Sequence, residues 1–457
     1  MQTQCNEEQL LFQDLGMKKI IVDRQAEIAS SDGGLLFLRE IEHKYHVIGG
    51  LLEHFRDYRN QKYVIHSLQG LLSQRIFGMV QGYEDINDHD QWRMDPLLMT
   101  ACDLDPATHI GAGKSTLNRL ESLPLNRKEC NRYRKFDWRA QGIREHLIDI
   151  SLDTFRKAPK EIILDMDTTD FILNGNQEGK HFSGFYDEYC YQPLYIFAGE
   201  LLLCADLLTG DTDHTPYALD ALKLVIEKIR NRWKKTKIIV RGDGGFCRDS
   251  IMCLCEETPR CYYVFGLPKN SRLCKIIGAS LDRVEKQFKK EKVPQREFSE
   301  FSYMTRKSWK CERRVIAKAE YLEKGKNPRF IVTNLTDACW NPQKLYEKLY
   351  CARGNMENRI KEQKLDMFSD RVSTHYLRSN QLRLWLTCFA YFFAMIIRQQ
   401  GFCNTALCVA TFSTIRLRIM KVAVLVRISV RRIKISLPKS YPYWDDWISL
   451  HTNLEAI

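Results

Sequence analysis

Asp167 closes a strand-like run, EIILDMD, and Asp243 closes another, KIIVRGD, which is followed by Gly244-Gly245. Glu357 lies on a helical stretch, YCARGNMENRIKEQK, that runs from Tyr350 to Lys364. A helix advances about 100° per residue, so steps of three, four and seven place Tyr350, Arg353, Glu357 and Lys364 on one face. Carboxylates without Cys or His companions suit a hard cation, Mg²⁺ or Mn²⁺, rather than zinc. Two such ions about 3.5–4 Å apart activate water or a 3′-hydroxyl and stabilise the leaving oxygen of a phosphodiester, which is in-line phosphoryl transfer. In that chemistry Arg353 and Lys364 clamp phosphate, and Tyr350 hydrogen-bonds phosphate or stacks on a base. Taken singly, each residue has a plainer reading: an Asp at a strand end is a turn former, and a charged helix face is an ion-paired surface.

The elements that would position these residues follow from periodicity. In EIILDMD, alternation puts Ile163, Asp165 and Asp167 on one side and Ile162, Leu164 and Met166 on the other, so Asp165 shares the outlook of Asp167. Two short strands follow between Tyr191 and Leu208, joined near Gly199-Glu200. A helix opens at Thr215-Pro216, the Asp243 strand comes next, and a short helix leads to the strand Tyr262 to Leu267. Strands alternating with helices predict a mixed α/β sheet, whose sites form at the carboxyl ends of strands. Residues 271–328 break the rhythm and read as an insertion. A strand over Phe330–Thr333 and a Pro342-initiated helix then restore it. The first 157 residues read as mainly helical, with Ser31-Asp32 capping a helix that carries Leu35, Leu38 and Ile41.

At 457 residues the chain exceeds one ordinary domain, and its net charge of +12 favours a polyanionic partner. The sixteen cysteines are scattered, with no CxxC pair, and read as reduced thiols of a cytosolic protein. The N-terminus lacks the pattern of a signal peptide, and the apolar run Leu384 to Ile397 is too short to cross a bilayer, so it reads as a core helix. GAGKST, at Gly111 to Thr116, is not a nucleotide-binding loop: Thr108 stands where the first glycine belongs, and no hydrophobic strand precedes it. A helix start there, carrying Lys114 and Arg119, would instead touch DNA phosphate, as would Arg127, Lys128, Arg132, Arg134 and Lys135. Asp85, Asp88 and Asp90 lack calcium-loop spacing and read as turn and cap residues. The tail from 401 to 444 has no acidic residue, and its interleaved Arg and Lys fit a packed structure with a basic face.

DMDTTD, RGDGG and Tyr350-x2-Arg353-x3-Glu357-x6-Lys364 resemble the DDE transposases of bacterial insertion sequences, whose Y-x2-R-x3-E-x6-K signature is matched without departure. SSDGGLLFLRE near the start, GYEDINDHD, NQEGKHFSGFYDEYCYQPL and the tail RRIKISLPKSYPY resemble, more narrowly, the insertion-sequence thirteen-eighty family. The resemblance implies a ribonuclease-H-like core with a mostly β insertion. It implies Asp167, Asp243 and Glu357 as catalytic metal ligands for two Mg²⁺ or Mn²⁺ ions, and Tyr350, Arg353 and Lys364 as DNA contacts; its Asp-Thr-Thr pattern favours Asp167 over Asp165. The organisation expected is a helical DNA-end-binding and assembly domain over 1–157, a catalytic core over 158–270 and 329–400, an insertion over 271–328 and a basic region over 401–457. The function implied is binding of terminal inverted repeats, cleavage at the ends and joining of the 3′-hydroxyls to target DNA, by a dimer bridging two ends of double-stranded DNA. No membrane and no nucleotide cofactor is expected, and the setting is a bacterial cytoplasm, in association with the nucleoid. The competing readings are a catalytically silent, transposase-derived DNA-binding regulator and a nuclease that cuts without joining.

Overall fold

A strand whose two faces are both apolar belongs inside a layered sheet rather than at its edge. In the computed structural model, which describes residues 9–24, 27–122, 135–336 and 340–456, β1 (Glu161–Thr168) is such a strand. Ile162, Leu164 and Met166 enter the main core, while Ile163 joins a second cluster on the opposite face. The alternation read from EIILDMD is therefore the one observed.

Around β1 the chain builds a nine-stranded mixed sheet. Its other strands are β2 (Leu194–Ala198), β3 (Leu201–Asp206), β4 (Lys237–Gly242), β5 (Cys261–Leu267), β6 (Gln295–Tyr303), β7 (Arg313–Leu322), β8 (Gly325–Lys326) and β9 (Arg329–Thr333). The order is β3-β2-β1-β4-β5-β9-β7-β6, with β8 paired to β7. β4 runs parallel to both β1 and β5, and the remaining pairs are antiparallel. The helix His214–Arg232 leads into β4, and Asp249–Glu257 leads from β4 to β5.

The stretch 271–328 is not mostly β, as expected, but carries helices Ser271–Ile276 and Gly278–Glu291 in about equal measure with strands. Its strands β6 and β7 extend the main sheet beyond β9, so the stretch prolongs that sheet instead of standing apart from it. After β9 the chain enters the Pro342 helix, capped by Asn341, then a π-turn over Leu345–Tyr350 and a 3₁₀ turn over Cys351–Arg353, before α1 (Gly354–Met367). Leu345, Tyr346 and Leu349 seal the second face of the sheet against Ile239, Val264, Ile316 and Ile331. The apolar helix α2 (Leu377–Ile396) is long and apolar enough to cross a membrane, but almost all of it is buried among β3, Leu68–Gln81 and Ala140–Asp153.

One apolar core joins the early helices, the sheet, α2 and the C-terminal helix Trp444–Glu455. A small sheet, formed by Ala29–Ser30, Val424–Ser429 and Arg432–Ser436, ties the two ends of the chain together. The Asp32 carboxylate does not cap the helix Leu35–Tyr45, as its position suggested. It is fully buried and accepts hydrogen bonds from Tyr83 Oη at 2.7 Å and Trp92 Nε1 at 2.8 Å, with Lys421 Nζ at 2.7 Å. The basic tail is partly turned inward, since Arg416 donates to Val80 O and pairs with Asp366, whereas Arg427 pairs with Glu27 at the surface. The helix start at Lys114 has no preceding strand, and Asp90 already accepts from its backbone N–H at 2.8 Å. Arg127, Lys128, Arg132 and Arg134 lie outside the described residues.

Candidate active site

The parallel pairing of β1 with β4 matches Arg241 to Asp165 and Gly242 to Met166. The pairing ends there; Asp167 is the next residue of β1 and Asp243 follows β4 directly, close enough for its charge to act on Asp167. Asp167 Oδ1 accepts from Thr168 N at 3.0 Å, and Asp243 Oδ1 from Gly245 N at 2.9 Å, so each carboxylate is held by the turn it begins. Two carboxylates at adjacent strand ends repel one another unless a cation comes between them.

The helical segment supplies that cation. Arg353 Nη1 lies 2.9 Å from Asp167 Oδ2, and Arg353 Nη2 lies 3.7 Å from Glu357 Oε1, one turn further along. Burial weakens the guanidinium's hold on its proton, but Asp167, Tyr350, Asp243 and Glu357 outweigh that and raise its pKa. For Asp167, burial is the largest influence; with the charges of Asp243 and Glu357 it overcomes the pull of Arg353 and pushes the carboxyl up to about 6. Glu357 itself is 65% exposed and turned toward Arg353. Lys364 Nζ lies 3.3 Å from Asp170 Oδ1, the last residue of DMDTTD.

Tyr350 is placed by the π-turn, a helix irregularity frequent at functional sites. Its hydroxyl packs on β5, where a Cβ at Gly266 would stand 2.6 Å from it, so a larger residue at 266 would displace the ring. Burial raises the Tyr350 pKa. Beside it opens a cleft of about 450 Å³ lined by Asp243, Gly244, Lys269, Arg329, Tyr346 and Tyr350. The segment containing Tyr350, Arg353, Glu357 and Lys364 thus borders the strand ends, although it is not one continuous α-helix.

Asp165 is occupied elsewhere. Arg241 grips it through Nε at 2.6 Å and Nη2 at 2.7 Å, and donates from Nη1 to Leu349 O at 2.6 Å. Both side chains are buried, and the pair bolts the Leu345–Tyr350 turn to the sheet. Sequence reading missed Arg241, yet the signal was present. Arg241 precedes Asp243 by two residues as Asp165 precedes Asp167, so parallel in-register strands must set them opposite one another. Asp170 and Gly266 were missed for a simpler reason, since only the fold brings them to Lys364 and Tyr350.

The donor set suits a hard divalent cation in kind, with two aspartates at neighbouring strand ends and a glutamate on the following helix. In this arrangement Arg353 stands at the carboxylates, and among the described residues no three His, Cys, Asp or Glu side chains are gathered closely enough to wrap a metal ion. The cysteines among the described residues are free thiols, as expected from their scatter.

No curated protein matches the chain. Among solved structures, the cryo-EM structure of the piggyBac transposase synaptic complex with hairpin DNA is similar at 10% sequence identity and a TM-score of 0.43, over 85% of this chain and 80% of that one. The profile of the family described as Transposase DDE domain group 1 matches residues 12–457, and the chain belongs to that family.

Proposed function

We propose that this transposase binds the terminal inverted repeats of its own element, cleaves the ends by phosphoryl transfer and joins the freed 3′-hydroxyls to target DNA. The observation that supports the reading is that Asp167 and Asp243, at the neighbouring ends of β1 and β4, lie within reach of each other's charge and of Arg353, with Glu357 one turn beyond it. Asp167, Asp243 and Glu357 are the catalytic residues and the ligands of two Mg²⁺ or Mn²⁺ ions. Divalent cations held there supply charge neutralisation at the scissile phosphate and activation of the attacking water or 3′-hydroxyl.

The chain's own groups do the positioning. Arg353 exchanges Asp167 for a DNA phosphate, which frees the carboxylate, and Glu357 then turns from Arg353 toward the aspartates. Lys364 holds a second phosphate, with Asp170 orienting its ammonium. Tyr350, fixed above Gly266, offers its hydroxyl to the DNA end beside Asp243. The core is read as ribonuclease-H-like, with 1–157 as a helical end-binding and assembly region and 271–328 as an insertion. The finer family is the insertion-sequence thirteen-eighty group, the working form a homodimer bridging two ends, and the setting the bacterial cytoplasm.

The test uses the purified full chain, duplex DNA carrying the element's inverted repeat, and Mg²⁺ or Mn²⁺. Nicking at the repeat end and joining of precut ends to a plasmid are expected. Cleavage that persists undiminished in Asp167→Ala, Asp243→Ala or Glu357→Ala overturns the site. Binding of the repeat without cleavage by the unaltered chain would favour the silent regulator, and cleavage without joining the plain nuclease.

A further inference from the structure

Lys269 and Arg329 are exposed cations, and among the described residues neither makes an ion pair or a side-chain hydrogen bond. Both line the cleft of about 450 Å³ that opens beside Asp243 and Tyr350. Lys269 follows β5, the strand beside β4, and Arg329 opens β9, the strand beside β5. The turn carrying Lys269 lies against the turn carrying Asp243, since a Cβ at Gly244 would stand 3.0 Å from Pro268 Cγ. By strand alternation Arg329 shares the face of Ile331, and Asp167 shares that of Ile163. Both isoleucines pack in the second cluster, so Arg329 and Asp167 belong to the same side of the sheet. The charge of Arg329 also reaches Tyr346 and Tyr350, where it holds back the pKa rise that burial causes.

The cations on the other side of the carboxylates are already engaged. Arg353 lies against Asp167 and Lys364 against Asp170, so each must leave a carboxylate to take a phosphate. Lys269 and Arg329 leave only water. They stand beside a site where Asp167, Asp243 and Glu357 share one guanidinium, and a phosphate strand crossing that site needs positive charge on its far side as well.

Apart from the two cations, the described lining of the cleft holds no Asn, Gln, Ser or Thr to read a base edge. Contacts to phosphate position DNA without selecting its sequence. An element's repeats must be told from other DNA, whereas the DNA beyond them differs at every insertion. We infer that Lys269 and Arg329 seat the backbone of the strand beyond the element's end, the flank during cleavage and the target during joining. They are positioning residues for both steps. The inference rests on the DNA-joining function proposed above, and adds the side of the site on which the variable DNA lies.

The test is the salt dependence of DNA binding by the purified full chain, read by fluorescence anisotropy without Mg²⁺ so that nothing is cut. One duplex stops at the end of the inverted repeat, and the other continues into flanking DNA. Lys269→Ala/Arg329→Ala should weaken binding to the continued duplex about tenfold and make its slope of log affinity against log salt shallower by about 1.8, the signature of two lost phosphate contacts. Binding to the duplex that stops at the end should change by less than about twofold. Lys269→Arg/Arg329→Lys keeps both charges and should keep the original slope. In joining of precut ends, the alanine variant should raise the KM for plasmid more than it lowers kcat. An unchanged slope on the continued duplex, an equal loss on both duplexes, a loss that varies with the flank's sequence, or an unchanged dependence on plasmid would each overturn the inference. A chain that binds the repeat without cutting it would remove the proposed chemistry, and the salt slopes would still decide what the cleft holds.

Discussion

Glu121 and Asp167 are both largely withdrawn from water and both bound by arginine, yet their surroundings drive them in opposite directions. Glu121 receives Arg75 Nε at 2.8 Å on one oxygen and Arg383 Nε at 2.5 Å on the other. Burial alone would raise its pKa, but the two guanidinium charges reverse that and bring it down to about 2. At Asp167 burial has its way, because one guanidinium is shared among Asp167, Asp243 and Glu357, and the carboxyl rises to about 6. The ratio of cations to carboxylates decides the outcome. In the first cluster each oxygen of the one carboxylate meets its own guanidinium, and the cluster ties α2 to the early helices. The second keeps surplus negative charge at the edge of a cleft, which raises the Asp167 pKa.

Substitutions that push each cluster toward the other test this contrast. The largest effect is expected at the open site, where Glu357→Gln should cut the rate of end cleavage by at least about a thousandfold, since bound cations supply several kcal/mol of charge stabilisation. DNA affinity, measured by fluorescence anisotropy, should hardly change. A fully active variant would make the open cluster as structural as the closed one.

Next comes the bolt beneath the site. Arg241→Met leaves Asp165 buried without its partner and should cost about 3–5 kcal/mol in urea unfolding. Asp165→Leu with Arg241→Met should recover most of that loss. A double variant as unstable as the single one would show that Arg241 matters chiefly through Leu349 O.

The closed cluster should reveal itself in acid. The folded-state pKa of Glu121 lies below its unfolded value of 4.5, so its contribution is fully present above about pH 4.5 and is lost as pH falls toward 2. Unfolding in urea should register about 3 kcal/mol of that loss, and Glu121→Gln should flatten the dependence in this window.

Asp167 has the opposite sign. Its folded pKa is raised above 3.8, so ionising it costs stability as pH rises toward 6, and a divalent cation should refund that cost. Adding Mg²⁺ should therefore raise the thermal midpoint by a few degrees at pH 7 and by less at pH 5, where the carboxyl is protonated. An equal shift at both pH values would remove Asp167 from the set of ligands.

Local patterns carried much of the fold. The alternation in EIILDMD, the strands joined near Gly199-Glu200, the helix His214–Arg232 and the buried α2 all follow from side-chain period and length, which neighbouring residues set. The Asp32 side chain was misread because a cap and a buried acceptor look alike in sequence; its partners Tyr83, Trp92 and Lys421 lie far along the chain. The insertion was misread because charged amphipathic helices such as Gly278–Glu291 sit among equally charged strands.

The sequence by itself determined which side chains were available for chemistry, because residue type and short-range spacing fix the chemical functions and the face on which each element presents them. It placed Asp167 and Asp243 at strand ends, and Tyr350, Arg353, Glu357 and Lys364 on one helical segment. Only the tertiary structure decided their company. Parallel in-register pairing of β1 with β4 brought the aspartates to neighbouring strand ends, gave Asp165 to Arg241, and laid Arg353 against Asp167. Those outcomes depend on contacts between residues dozens to nearly two hundred positions apart, and sheet register, not local propensity, fixes them.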